Sequence, residues 1–233
     1  LAPTGVAAMN AGGVTIHSFF QLPFAPFVPE SHFGGEARYQ YRFSKEKVNI
    51  MRSIDLLVID EISMVRADLL DAVDDVLRRY RDRHKPFGGV QLLLIGDLQQ
   101  LSPVVKEQDQ QLLAPYYPHF YFFGSHALEQ AGYVTVELTK VYRQNNAEFL
   151  DLLNCIRDNR VDASVFDRLN RRYLPDFASR QPRGYIYLTT HNQKANDLNA
   201  SRLKQLPGSE RAFRAVITDD FPAYMYPTEE ELV

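Results

Sequence analysis

The run Ile54-Asp55-Leu56-Leu57-Val58-Ile59 ends in two adjacent carboxylates, Asp60 and Glu61. A strand buried on both faces of a parallel sheet reads as a near-continuous apolar run rather than an alternating one. Ligands of open α/β sheets bind outside the carboxyl ends of such strands. The run therefore predicts a buried parallel strand that delivers Asp60 and Glu61 to a ligand-binding edge. An NTPase needs two carboxylates there, one to hold Mg²⁺ and one to activate a water. The plainer alternative is a solvated strand end. No Gly-x-x-x-x-Gly-Lys-Ser/Thr phosphate loop occurs in the 233 residues, so the chain carries half of a nucleotide site.

Working outward, a second apolar run, Val90-Gln91-Leu92-Leu93-Leu94-Ile95, leads into Gly96-Asp97-Leu98-Gln99-Gln100. Between the two runs, Leu69, Leu70, Val73, Val76, Leu77 and Tyr80 share one helical face, with Asp68, Asp71, Asp74 and Asp75 expected largely opposite. His84-Lys85-Pro86-Phe87-Gly88-Gly89 breaks that helix. Strand, helix, strand predicts a right-handed parallel crossover and an α/β sheet flanked by helices. Further apolar runs at 133–138 and 185–188 predict strands, with 215–217 as another candidate. Helical patterns cover 147–158, 164–173 and 193–205. Residues 21–47 mix prolines and glycines with Phe24, Phe27, Phe33, Tyr39, Tyr41 and Phe43, which predicts a surface excursion packed by its own rings. The switch in pattern near 136–146 divides the chain into a first α/β domain, 1–135, and the start of a second, 136–233.

Composition narrows the function classes. A net charge of −3 excludes a uniformly basic nucleic-acid coat but not a local basic channel. The dense basic run Arg78, Arg79, Arg81, Arg83, His84, Lys85 is either a solvated helix end complementing the helix dipole or a phosphate contact. A single cysteine, Cys155, excludes a disulfide framework, fits a reducing compartment, and is expected as a buried, inert thiol. No stretch of eighteen apolar residues predicts a membrane span, and no basic segment followed by an apolar one predicts a signal peptide. Leu1-Ala2-Pro3-Thr4-Gly5 reads as the end of a strand entering a loop, and 226–233 stops in what reads as a fresh element. A segment of a longer protein is the expectation.

Four clusters carry candidate chemistry. Asp60-Glu61 is the first. In the second, a neutral amide such as Gln100 can orient water or bond a terminal phosphate, the alternative being an ordinary turn closed by Pro103. In the third, Leu138 to Gln144, Arg143 can stabilise charge on a phosphoryl group across a cleft, although a lone arginine is usually a surface residue. The fourth is Ala2-Pro3-Thr4-Gly5 followed by Thr15-Ile16-His17-Ser18-Phe19-Phe20. Its hydroxyls and backbone N–H groups suit phosphates, and its rings suit stacked bases. A capped helix followed by a core Phe pair accounts for it equally well.

Taken in order, these strings resemble the Pif-type (petite integration frequency) helicases, RecD- and TraA-related members of superfamily one. Ala2-Pro3-Thr4-Gly5 with Thr15 to Phe19 is similar to motif Ia and its extension, and Val58 to Met64 to motif II. Pro86 to Leu101 is similar to the family signature and motif III, and Leu138 to Gln144 to motif IV.

The resemblance implies two RecA-like domains, the second only begun here. They would use ATP and Mg²⁺ to move 5′-to-3′ along single-stranded DNA and unwind duplexes, forks and G-quadruplexes. It further implies a monomer with no membrane association, serving repair, recombination and telomere maintenance. Such an enzyme is cytoplasmic and nucleoid-associated in a bacterium, nuclear or mitochondrial in a eukaryote.

By the same resemblance Asp60 is the Mg²⁺ ligand, Glu61 the catalytic carboxylate, Gln100 the γ-phosphate sensor and Arg143 the second-domain arginine, all four nucleotide-binding. Pro3, Thr4, Gly5, His17, Ser18 and Phe19 become DNA contacts, joined by Thr189 and Asn192 after the later strand. Motif I and the late motifs V and VI are missing, and Ser102 replaces a common proline. Residues 219–233 resemble the start of an accessory insertion. A non-catalytic DNA- or partner-binding module that has lost its phosphate loop is the alternative.

Overall fold

The computed structural model describes residues 1–29, 43–177, 184–208 and 216. The elements in chain order are α1 (Gly5–Asn10), α2 (Ile16–Phe20), α3 (Lys45–Ser53), β1 (Leu56–Ile59), α4 (Ala67–Tyr80), β2 (Gln91–Leu94), α5 (Glu107–Leu113), α6 (His126–Ala131), α7 (Ala147–Arg157), α8 (Ala163–Asn170) and α9 (Asn192–Leu203). Short polar side chains start many of the helices. Thr4, Thr15, Ser44, Ser125, Asn146 and Asp162 each accept a backbone N–H three residues on, which satisfies donors that a helix start leaves open.

β1 and β2 pair in parallel, with Leu56 opposite Gln91 and Ile59 opposite Leu94. Both lie inside the predicted apolar runs. The sheet continues on the other side of β1. The Leu1 nitrogen donates to the Val58 carbonyl at 2.7 Å, and the Leu1 carbonyl accepts the Asp60 N–H at 2.8 Å. Ala2 faces away and pairs in parallel with Thr15, bonding the Val14 carbonyl at 3.3 Å and the Ile16 N–H at 3.0 Å. Segments 14–16, 1–2, β1 and β2 thus lie side by side and point the same way.

α4 crosses this sheet and organises the core: Leu70, Val73 and Leu77 are fully buried with Ile16, Phe20, Ile59 and Phe87. Its acidic residues depart from expectation. Asp68, Asp71 and Asp74 are buried rather than opposed to the packed face. The reason is that each closes a set of donors from neighbouring segments. Asp71 accepts the Tyr117 hydroxyl at 2.8 Å, the Ser125 hydroxyl, and the N–H groups of His126 and Ala127 at the start of α6. Burial beside Asp71 holds the Tyr117 phenol well above its usual pKa range. Asp74 takes the Phe87 N–H and pairs with Arg78 at 2.7 Å. Burial raises its carboxyl above the ordinary range, outweighing the Phe87 N–H and Arg78.

The basic run divides: Arg78 and Arg81 are half-buried and bonded within the molecule, whereas Arg79, Arg83, His84 and Lys85 are exposed at and just beyond the end of α4, as a solvated helix end has them. Arg78 also donates to Gln130, and Arg79 pairs with Asp75. Arg81 closes the last carbonyls of α3 by donating to Met51 and Arg52. The turn before β2 is equally determined. Phe87 is buried at φ 51°, and a Cβ on Gly88 would sit 2.8 Å from the Leu77 carbonyl oxygen.

Two expected strands are not formed, and two other expectations fall wholly or partly outside the described residues. The predicted strands at 133–138 and 185–188 are unpaired coil, with Val134, Leu138, Ile186 and Leu188 largely exposed, because no described strand lies beside them. The 215–217 candidate lies, Val216 apart, outside the described residues. The excursion at 21–47 is described only at its flanks. Leu22 and Phe27 pack into the main core and Phe43 stacks on Tyr80 at 5.0 Å, while Phe33, Tyr39 and Tyr41 lie outside the described residues. From Lys45 the chain is helical.

The chain divides into two compact units, Leu1–Arg160 and Val161–Val233. The expected boundary at 135/136 falls inside the first, where the coil 132–146 leads into α7 and Arg157 reaches Asp97 at 3.3 Å. Cys155 is buried on α7, as expected. No described helix is long and apolar enough to cross a membrane.

Candidate functional site

Parallel strands bring their carboxyl ends to one edge. There the chain presents Pro3-Thr4-Gly5 after segment 1–2, α2 with His17, Ser18 and Phe19 after segment 14–16, Asp60-Glu61 after β1, and Gly96-Asp97 after β2. Such an edge is the ligand edge of an open α/β sheet.

The turn after β1 is tightly specified. Glu61 adopts left-handed φ 53°, ψ 42°, a region that costs a non-glycine residue about 1 kcal/mol or more. Its N–H donates to Asp60 Oδ1 at 3.0 Å, and the next N–H, of Ile62, reaches the Ile95 carbonyl at 2.9 Å. Gly96 explains the close approach of the two strand ends. A Cβ there would lie 2.9 Å from Ile62 Cγ2 and 3.0 Å from the Ser63 nitrogen. A glycine at 96 lets the backbone of the turn that follows Asp60 and Glu61 come this close. Asp60 and Glu61 are half-buried. The described residues hold no cluster of three or more metal-ligating side chains. The adjacent, half-buried carboxylates of Asp60 and Glu61 are the kind of donor Mg²⁺ uses, since it usually takes one or two carboxylates and completes its shell with water and substrate phosphates.

Gln100 stands three residues beyond Asp97, exposed, with its amide donating to Asp97 Oδ2 at 3.1 Å. Asp97 also accepts the Gln99 N–H at 3.0 Å and pairs with Arg157. Burial alone would raise its carboxyl, but the Gln99 N–H, the Gln100 amide and Arg157 outweigh it and hold it below the usual range. Sequence reasoning missed Asp97 as the partner of Gln100 and Arg157 as the partner of Asp97. Arg143 is exposed and makes no ion pair among the described residues, including with Asp60 or Glu61. Thr189 and Asn192 belong to the second unit, both exposed. Thr189 accepts the His191 N–H at 3.2 Å, and Asn192 opens α9.

The remaining candidates gather around α1 and α2. The Thr4 hydroxyl caps α1 and Ser18 donates its N–H to Thr15, while a Cβ on Gly5 would meet nothing within 4 Å. Lys47 sits 3.7 Å from the Phe19 ring centroid, and burial lowers its pKa. His17 stacks on Phe24 with centroids 4.8 Å apart. Burial lowers the His17 pKa, helped by nearby Arg66 and opposed by Asp68, and so favours the neutral ring. Arg66, five residues past Glu61, clamps the buried Asp68 carboxylate at 2.7 and 2.8 Å and reaches Asp109 at 2.9 Å. Asp68 in turn accepts the Phe27 N–H at 3.0 Å. Arg66 and Asp68 thus join the stretch that follows the Asp60–Glu61 turn to the segment that carries Phe24. Only the spacing of 68, 71 and 74 along one helical stripe could have flagged the burial.

The sequence profile of the PIF1-like helicase family matches residues 1–165. ATP-dependent DNA helicase PIF1 of Saccharomyces cerevisiae (strain YJM789) is 36% identical over 222 residues, covering 92% of this chain and 24% of that protein. The human protein of the same name is 36% identical over 223 residues, covering 92% of this chain and 31% of its own length. Among solved structures, a Pif1 helicase from Bacteroides in complex with ADP-AlF3 and ssDNA superposes with a TM-score of 0.85 at 40% identity, over 98% of this chain and 51% of that one. The chain therefore spans about a quarter to a third of the curated relatives it matches.

Proposed function

This chain belongs to the PIF1-like helicase family, and from that premise we propose that it is the central part of an ATP-dependent DNA helicase moving 5′-to-3′ on single-stranded DNA. The observation that carries the proposal is the convergence of polar groups on one sheet edge, with Glu61 held in a left-handed turn against Gly96. A relative from Bacteroides has been solved with ADP-AlF3 and ssDNA, and another structure addresses unwinding at forked dsDNA. The covered residues contain no phosphate loop, so the cradle for the β- and γ-phosphates would come from elsewhere in the parent protein.

In this proposal each residue has one task. Asp60 would hold Mg²⁺ together with phosphate oxygens; when bound, the ion neutralises charge on the phosphoryl group. Glu61 orients the attacking water and takes its proton. Gln100, on leaving Asp97, bonds the terminal phosphate or that water. Arg143 contributes positive charge once the second domain closes. Pro3, Thr4, Gly5, His17, Ser18 and Phe19 line the DNA path, with Thr189 and Asn192 on the second-domain side. The enzyme works as a monomer, includes G-quadruplexes among its substrates, and acts at the nucleoid, in the nucleus or in mitochondria according to its source.

The test is strand separation by the full-length protein with ATP and Mg²⁺ on duplexes bearing a single tail. A duplex with a 5′ tail is unwound and its 3′-tailed counterpart is not. Unwinding of the 3′-tailed duplex alone would reverse the polarity, and unwinding of neither would favour the non-catalytic module.

A further inference from the structure

Resting on the helicase proposal, we propose that Phe24, backed by His17, is a stacking platform for one base of single-stranded DNA. Phe24 is 78% exposed, yet it is not loose. Its ring lies nearly parallel to His17, 19° between planes, which covers one face and leaves the other open. The segment that carries it is pinned on both sides. Leu22 before it and Phe27 and Val28 after it are buried, and the Phe27 N–H is held by the Asp68 carboxylate, itself clamped by Arg66. A large apolar ring held out to water by a fixed backbone forgoes the gain of burial. Presenting a ring to a planar ligand gives that arrangement a use.

Phe19 is the aromatic that the sequence singled out at this edge, and its surroundings differ. The Lys47 ammonium sits over its ring and Phe20 meets it edge-on at 4.9 Å. Phe19 is half-buried, with Lys47 over one face, so less of its ring is free than that of Phe24. Phe24 has no ring contact besides His17 among the described residues. A base entering from solvent would extend the His17–Phe24 stack, and every base has a π face, so the contact is tolerant of sequence. Burial keeps His17 neutral, which leaves the backing ring uncharged at neutral pH.

The test is binding of labelled oligo-dT by the full-length protein, followed by fluorescence anisotropy at fixed salt. Phe24→Ala should weaken binding roughly 5- to 150-fold, the range for loss of one base–aromatic stack, while Phe24→Tyr restores it. Thermal melting of Phe24→Ala should be unchanged, since the ring is exposed. A scan with single abasic sites locates the partner base. At one site the unsubstituted protein should fall to the affinity of Phe24→Ala, and the variant should be indifferent to the same lesion. Equal binding by Phe24→Ala and the unsubstituted protein overturns the platform, as does a loss that persists undiminished at every abasic site. If the unsubstituted protein binds no single-stranded DNA, the helicase assignment fails, and the platform with it.

Discussion

β1 and the run 185–188 are written in the same alphabet and meet opposite fates. Ile59 is completely buried, whereas Leu188 is 94% exposed. β1 lies between the Leu1 backbone and β2, and both rows of its backbone groups are paired. The 185–188 run has no described strand paired with it. An apolar run states what a segment can bury, and its neighbours decide whether it does. In the first unit those neighbours are present and align the candidate residues along one edge; in the second, Thr189 and Asn192 follow an unpaired segment.

The contrast is open to direct attack. The largest effect is expected at its buried pole: Ile59→Ala should destabilise the chain by about 3–4 kcal/mol in urea unfolding, and Leu188→Ala by less than about 0.5. Equal costs would break the contrast. Asp71→Asn, which keeps the shape but turns an amide toward converging donors, should cost about 2–3 kcal/mol, read as a lower melting temperature. Gly96→Ala should cost about 1–3 kcal/mol and depress ATP turnover, because the added carbon strikes the backbone of the catalytic turn.

Acid should have a smaller effect. The folded state lowers the His17 pKa, so as pH falls below about 6.5 the unfolded chain takes the proton first and stability declines. His17→Gln should flatten that part of the stability–pH curve. The smallest change is expected at the exposed end of the network: Arg157→Met should cost under 1 kcal/mol, since its pair with Asp97 is half open to water. A larger loss there would mean that α7 anchors the Gln100 loop more firmly than one ion pair implies.

Much of the first unit was legible because its signals were local. The runs ending at Ile59 and Ile95, the apolar stripe of α4 and the breaking turn at Pro86 to Gly89 each follow from spacing and composition. What was not legible required partners distant in sequence. Asp68, Asp71 and Asp74 read as polar and therefore outward, yet Phe27, Tyr117, Ser125 and Phe87 bring donors to them across 13 to 54 residues. The strand at 133–138 failed for the converse reason: its apolar residues are there, but no described strand pairs with it. At the site, Asp60 and Glu61 were readable from position alone. The Asp97 partnership of Gln100 and the Phe24 ring on His17 depend on how the chain folds back, and single-residue patterns do not record that.

The central claim is that the pair at the end of β1 is catalytic. The measurement that tests it most directly is DNA-stimulated ATP hydrolysis by the full-length protein carrying Glu61→Gln. Turnover should fall by roughly 10²- to 10⁴-fold, the range for loss of a positioned general base, while binding of ATP and single-stranded DNA is retained. Turnover equal to that of the unsubstituted protein would contradict the account.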